Sequence, residues 1–243
     1  MPGISSPAFF MSGQIKYYNQ FGNAYRQSIL SCPEPELWTT DYTEKGRVYN
    51  EMKSRIEQQQ QLIDNYFSVQ WPVLDLGCGF GRQAIILAKK GYEVVGCDSS
   101  EVFISIANDL FEKFQFKGEF FVGGGIDQLQ GRHFSQAVLF DVIEHIPPAK
   151  RKELASQLAS VLIHDGVLLM SLPHVKKRLS SQLNNSIRRR ITGLFAYFRN
   201  REEHPYYIPQ QKDILQLFGK QFSLDSFTAA DETDYYVFRR KKE

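Results

Sequence analysis

Asp75, Gly77, Gly79, Gly81 and Asp98 are the residues of this 243-residue chain whose types and spacing speak most directly of chemistry. The glycines stand in the run Val73-Leu-Asp-Leu-Gly-Cys-Gly-Phe-Gly-Arg82, and the second acid closes Val94-Val-Gly-Cys-Asp98. Glycines let a backbone turn sharply and approach a ligand with no Cβ in the way. An acid about twenty residues beyond such a turn is placed to take ribose hydroxyls, and Asp98 lies 21 positions after Gly77. A pyrophosphate site asks for G-x-G-x-x-G, whereas the spacing here is G-x-G-x-G, with Asp75 two residues before the first glycine. A carboxylate repels a pyrophosphate and suits a ligand with a cationic ammonium or sulfonium end. A second group lies in Phe140-Asp-Val-Ile-Glu-His145. There His145, whose ordinary pKa suits neutral pH, is the first candidate for a base, with Glu144 as the alternative.

The elements that position these residues follow from periodicity. Val73, Leu74 and Leu76 form a short apolar run ending at glycines, which fits a buried parallel strand. Gln83 to Lys90 is a helix stopped by Gly91, and Glu93 to Cys97 is the next strand, with Asp98 at its carboxyl end. Ser99 and Ser100 precede a helix over Val102–Phe116, with serine capping and Glu101 in the first turn. Further strands are predicted at 119–122, 136–140, 167–172, 222–227 and 235–239. A helix fed by Pro147 and Pro148 carries its apolar face from Leu154 to Ile163, and His164-Asp-Gly166 is a turn into the next strand. Upstream, Lys45 to Phe67 has near-helical apolar spacing. Residues 1–13 read as a loose tail, and Tyr17 to Leu30 as an aromatic and polar stretch broken by Pro33 and Pro35.

The acid, the three glycines, the helix and the second acid fall in the register of the first motif of class I S-adenosylmethionine-dependent methyltransferases, which the chain resembles. The segment after the fourth strand resembles the quinone-biosynthesis O-methyltransferase branch. The resemblance implies an α/β, Rossmann-like fold: a seven-stranded, mostly parallel sheet with helices on both faces and an antiparallel C-terminal strand pair. It implies a helical cap over residues 1–69 and a cofactor-binding domain over 70–243. S-adenosyl-L-methionine would be the cofactor and S-adenosyl-L-homocysteine the product. The glycine turn, with Gly77, Cys78, Gly79 and Gly81, would carry the methionine part. Asp98 and Ser99 would meet the ribose, and Phe140 and Asp141 would face the sulfonium. Arg47, with Tyr49, is the candidate to meet the methionine carboxylate from the cap; Trp38 and Tyr42 either wall a substrate pocket or pack. Many members place an acid directly after the third strand to hold adenine. Gly124 stands there, so Asp127, or backbone groups from Gly124 to Ile126, would take that role. No [DNS]-P-P-[YFW] motif follows the fourth strand, which argues against DNA adenine or glutamine and favours a small-molecule acceptor with an oxygen nucleophile.

Net charge is 29 − 27 = +2, so nothing global points to nucleic acid. Cys32, Cys78 and Cys97 form no metal-ligand or disulfide pattern, and no histidine or carboxylate spacing demands a metal. With no apolar run near 18 residues and no signal pattern, a cytoplasmic protein is expected. One stretch stands apart. Between about 174 and 204 the chain is rich in Lys and Arg, and residues 175–201 contain no acid. Leu183, Ile187, Ile191, Leu194, Phe195 and Phe198 recur at helical spacing within it. The helix 183–201 is a solvated cationic face, a lid for an anionic acceptor, or a peripheral contact with a membrane that carries the acceptor. His174, His204, Tyr206 and Tyr207 flank it as candidate substrate residues. Two rival functions remain: an NAD-dependent oxidoreductase, disfavoured by Asp75 and the glycine spacing, and a catalytically silent cofactor-binding partner protein. The residues name neither the acceptor nor the oligomeric state.

Overall fold

The apolar run at Val73–Leu76 is strand β1, buried along its whole length as a central parallel strand requires. Residues 12–123, 129, 131–173, 207–230 and 233–242 are described by the computed structural model. The remaining strands are β2 (Val94–Asp98), β3 (Gly118–Val122), β4 (Phe134–Phe140), β5 (Leu162–Pro173), β6 (Phe222–Ala229) and β7 (Thr233–Arg240). They form one seven-stranded sheet in the order β3-β2-β1-β4-β5-β7-β6. The first five strands are parallel, and β7 pairs antiparallel with both β5 and β6. The fold class implied by the sequence is the one observed. The order reverses direction between β1 and β4, and in such sheets that switch point opens a crevice at the carboxyl ends of the strands.

The helices are α1 (Ser12–Ser31), α2 (Arg47–Tyr66), α3 (Arg82–Lys89), α4 (Glu101–Phe114), α5 (Pro148–Val161) and α6 (Gln211–Phe218). Two cores lie on the two faces of the sheet. Residues of α5 and α6 pack on Leu74, Leu76, Leu139 and Met170. Residues of α1, α2, α3 and α4 pack on Val73, Val94, Val138 and Leu169. Because side chains alternate along a strand, Asp75 points to the second face with Val73. Gly96 is its register partner on β2, and a Cβ at Gly96 would lie 2.6 Å from the Phe120 ring and 3.0 Å from Cys78 Sγ.

Two local expectations change. The turn at 164–166 lies inside β5: Phe134 pairs with Leu162 but Gln136 with Val167, so the extra residues loop out as a bulge with Asp165 at φ 60°. The second change is α1. The start of this helix, Ser12, falls within the stretch read as a tail, and it covers all of Tyr17–Leu30. It runs in the same direction as α4. Gly22 permits the contact, since a Cβ there would sit 2.7 Å from Val102 Cγ1. Arg26 pairs with Asp109, and Lys113 Nζ donates to Leu30 O at 2.6 Å.

Candidate active site at the switch point

The glycine turn between β1 and α3 uses conformations that side chains oppose. Gly77, Gly79 and Gly81 have φ of 78°, 53° and 90°. The Gly77 and Cys78 amides both donate to Cys97 O, at 2.8 and 3.1 Å, tying the turn to the end of β2. A Cβ on Gly77 would lie 2.5 Å from Val142 Cγ2, whereas one on Gly79 would meet nothing closer than Phe103 at 3.9 Å. The two positions therefore differ in purpose: Gly77 lets the turn fit the β4 side, and Gly79 faces open space. Gly77→Ala should cost about 2–4 kcal/mol in urea unfolding, the sum of a left-handed backbone and an overpacked contact. A loss within experimental error would refute that account.

Asp98 projects from the end of β2 under this turn. Its Oδ2 accepts from the Gly79 amide at 2.9 Å and its Oδ1 from the Ser100 amide at 2.8 Å. Burial pushes its carboxyl up to about 6, while the Ser100, Gly79 and Ser99 amides oppose the rise. Asp75 is 3 % exposed, and its Oδ2 has no hydrogen-bond partner. Burial first, and the neighbouring Asp98 charge second, push it up to about 7 against the pull of the Ala84 amide. Ser99 is likewise buried, and its hydroxyl has no partner. Buried polar atoms are rarely left unpaired, so unpartnered oxygens beside an open glycine turn mark a place built for a polar, cationic guest. Cys78 and Cys97 are buried, and burial raises both thiols, Cys97 to about 12. Cys97 packs in the core on the α5–α6 face of the sheet, and Cys78 Sγ lies against Gly96 on the other face.

The far wall of the crevice is the end of β4. Phe140 is packed in the core, and Asp141 adopts φ 57°. Asp141 Oδ2 receives Arg55 Nη1 at 2.7 Å, and Oδ1 receives the Ser171 hydroxyl at 2.9 Å. The charge of Asp141 raises the Arg55 guanidinium further above its ordinary range. Arg55, paired with Asp141 at the end of β4, is a residue that the sequence did not single out. Arg47, expected in the crevice, is the first residue of α2; its side chain is 75 % exposed and pairs with Glu51 one turn along. Tyr49 is buried against Tyr42, and Trp38 packs edge-on to Phe80 at 5.9 Å, so these aromatics are packing residues of the cap. Arg55→Met leaves Asp141 partly buried without its cation. A loss of about 1–3 kcal/mol in denaturant unfolding is expected, partly restored in the Arg55→Met/Asp141→Asn double variant. Additive losses would show that the pair is not coupled.

After Asp141 the chain makes a 3-10 turn, Ile143–His145. His145 Nδ1 is 3.2 Å from the Tyr18 hydroxyl, and Nε2 is 3.8 Å from Glu144 Oε1. Gln14 of α1 holds the His145 carbonyl at 2.9 Å. The Glu144 carbonyl accepts from the Tyr207 amide at 2.7 Å, and Arg151 reaches the Tyr207 carbonyl. Tyr207, one of the candidate substrate residues, is thus stapled by its backbone beside Glu144 and His145. Gly124, Ile126, Asp127, His174, His204, Tyr206 and the basic helix 183–201 lie outside the described residues. Among the described residues, no group of three or more His, Cys, Asp or Glu side chains is arranged to hold a metal, and no helix is long and apolar enough to cross a membrane.

Residues 73–166 match a family described as a methyltransferase domain. The fold is that of the class I S-adenosylmethionine-dependent methyltransferases. A magnesium protoporphyrin IX methyltransferase from Synechocystis PCC 6803, solved with bound SAH, superposes with a TM-score of 0.66 at 21 % identity, over 93 % of this chain and 97 % of that one. A Pyrococcus horikoshii protein superposes with a TM-score of 0.67, also at 21 % identity, over 90 % and 99 % of the two chains. In sequence, the carboxy-S-adenosyl-L-methionine synthase of Nautilia profundicola is 32 % identical over 123 residues, 49 % of this chain and 51 % of that protein. The chain spans about half the length, or less, of the curated relatives it matches.

Proposed function

We propose that the chain is an S-adenosyl-L-methionine-dependent methyltransferase acting on a small molecule, with an oxygen nucleophile favoured. One observation carries the reading: a buried carboxylate with one unpartnered oxygen, Asp75 Oδ2, and an amide-held carboxylate, Asp98, flank a glycine turn whose Gly79 faces open space. These residues fit the cofactor on chemical grounds. A carboxylate has about four acceptor positions, and the amides leave outward-facing ones on Asp98 for two ribose hydroxyls. Asp75 supplies negative charge for the cationic end, and Gly79 allows close approach of the backbone. Bound there, the cofactor supplies an activated methyl group on sulfur.

The protein's part is then proximity and orientation, with a base where the nucleophile must lose a proton. Phe140 and Asp141 stand at the strand end where the methyl would point. His145 is the candidate to take a proton from an acceptor hydroxyl, with the Tyr18 hydroxyl 3.2 Å from its Nδ1 and Glu144 Oε1 3.8 Å from its Nε2. An anionic or membrane-borne acceptor is consistent with the basic stretch 174–204, whose flanks Pro173 and Tyr207 both stand on the crevice side: one ends β5, the other is bonded to Glu144. The Nautilia relative supports a second reading, in which the cofactor is itself the substrate and leaves as a carboxylated derivative.

Calorimetry with S-adenosylmethionine, S-adenosylhomocysteine and NADH tests the assignment. Micromolar binding of the first two and none of NADH is expected; NADH binding alone would replace this reading with the oxidoreductase. Mass spectrometry of the cofactor after incubation with pooled small acids and phenols separates the remaining cases. S-adenosylhomocysteine supports methyl transfer, a heavier carboxylated cofactor supports the second reading, and unchanged cofactor supports a binding protein without turnover.

A further inference from the structure

We propose that Asn19 of α1 is a positioning residue for the ribose carboxylate Asp98, acting through Ser100; this rests on the cofactor reading above. The relay is continuous. Ser100 Oγ donates to Asn19 Oδ1 at 2.6 Å and accepts from the Phe103 amide at 3.1 Å. The Ser100 amide donates to Asp98 Oδ1, and the Gly79 amide of the glycine turn to Oδ2. Ser100 is 0 % exposed, so its hydroxyl proton has no water to fall back on. With both sides of the hydroxyl engaged, Ser100 has one rotamer and one backbone setting, φ −86° and ψ 110°, as the N-cap of α4. That setting aims its amide at Asp98.

The outward lone pairs of a carboxylate are useful to a ribose only if the inward ones are fixed. The Gly79 amide of β1–α3 and the Ser100 amide of β2–α4 bond opposite oxygens of Asp98 and set its plane, with the Ser99 amide also acting on it, and of the three only the Ser100 amide is set by a partner on α1. Without Asn19 the buried Ser100 proton is unpaired, the N-cap loosens, and the carboxylate can rotate toward Gly79 alone. The cost falls on ligand hydroxyls rather than on the ligand as a whole. Arg26, further along α1, provides the contrast. It binds α1 to α4 through Asp109 and through Ser105 at 3.1 Å, without touching the relay.

The test is calorimetry on the full chain with S-adenosylhomocysteine and its 2′-deoxyribose analogue. Wild type should prefer the hydroxylated ligand at least ~10-fold, as for loss of one hydrogen bond to a charged group. Asn19→Ala should reduce that preference to about threefold or less, whereas Arg26→Ala should keep it even if both affinities fall. Ser100→Ala breaks the same hydrogen bond from the α4 side and should act like Asn19→Ala, which covers the case in which that variant does not fold. Equal weakening of both ligands by Asn19→Ala and Ser100→Ala, or no weakening, would overturn the proposal and leave the cofactor reading standing. A wild type that binds both ligands equally would overturn the relay alone, and one that binds neither would overturn both.

Discussion

Asp98→Ala is expected to weaken S-adenosylhomocysteine binding at least ~100-fold by calorimetry, the largest effect of any single change in the crevice. The carboxylate is already oriented before a ligand arrives, by the Gly79 and Ser100 amides on its two oxygens. Preorganised acceptors add most to affinity because little is spent on ordering them. Each charge-assisted hydrogen bond is worth roughly 1.5–3 kcal/mol, so the two ribose hydroxyls together account for about 3 kcal/mol or more, which exceeds ~100-fold. Asp98→Asn sharpens the argument. An amide keeps one accepting oxygen, but its nitrogen donates, so it opposes either the Gly79 or Ser100 amide or one ribose hydroxyl. Its affinity should fall between the wild-type and alanine values. Binding within threefold of wild type in the alanine variant would remove Asp98 from the ribose and, with it, the strongest support for the orientation of the cofactor.

The same residue shows why so much of this fold is legible in one sequence. The β1–turn–α3–β2 unit is specified locally: a buried strand needs a mainly apolar run, and three φ values of 53–90° within five residues favour glycine at each. Both requirements leave marks within thirty residues. The antiparallel β6–β7 pair is visible for a similar reason, through its alternating and aromatic runs. The helix α1 is not, because the face it buries is built from Gln14, Gly22 and Ile29 with Tyr18 between them. Those positions recur at helical spacing but are not uniformly apolar, so the hydrophobic period is absent. What buries them is specific contact, with the His145 carbonyl and along α4, and such contact depends on partners eighty or more residues away.

Arg55 was hidden differently. Helix α2 was visible, and an arginine reaching from it toward the strand ends was a sound expectation, but choosing the arginine needs the height of the helix over the sheet. Arg55 lies eight residues beyond Arg47, about 12 Å along the axis. A local clue does exist: Tyr49, Ile56, Gln59 and Ile63 are the buried residues of α2, and Arg55 stands beside Ile56, one turn before Gln59. Arg47 sits at the open first turn. A cation within the span of the buried stripe is the better candidate than the first cation of the helix. Asp141 completes the pairing only in three dimensions, since its φ of 57° turns the carboxylate back toward α2.

The second large effect concerns pH, and its sign follows from Asp75. Burial, with the Asp98 charge behind it, holds the Asp75 carboxyl up at about 7, against about 4 in an unfolded chain. A carboxyl raised on folding binds its proton more tightly in the native state. Its stabilising contribution is complete below the unfolded value and is lost as pH rises through about 7. The unliganded protein should therefore lose thermal stability between about pH 4 and about 7 beyond what its other groups impose, and Asp75→Asn should remove that extra slope. A cationic ligand reverses the preference, because it favours the ionised form. S-adenosylmethionine should bind more tightly as pH rises toward 7, by up to ~10-fold per unit, and level off above it. Binding near pH 6 should release a proton, seen as a dependence of the calorimetric enthalpy on the ionisation enthalpy of the buffer. Asp75→Asn should abolish the release while Asp98 and the glycine turn remain in place. Unchanged proton release in that variant would assign the titration elsewhere, with Asp98, raised to about 6, as the next group to examine. Affinity that is flat from pH 5.5 to 8 in the wild type would mean that the β1 carboxylate does not meet the charged end of the ligand.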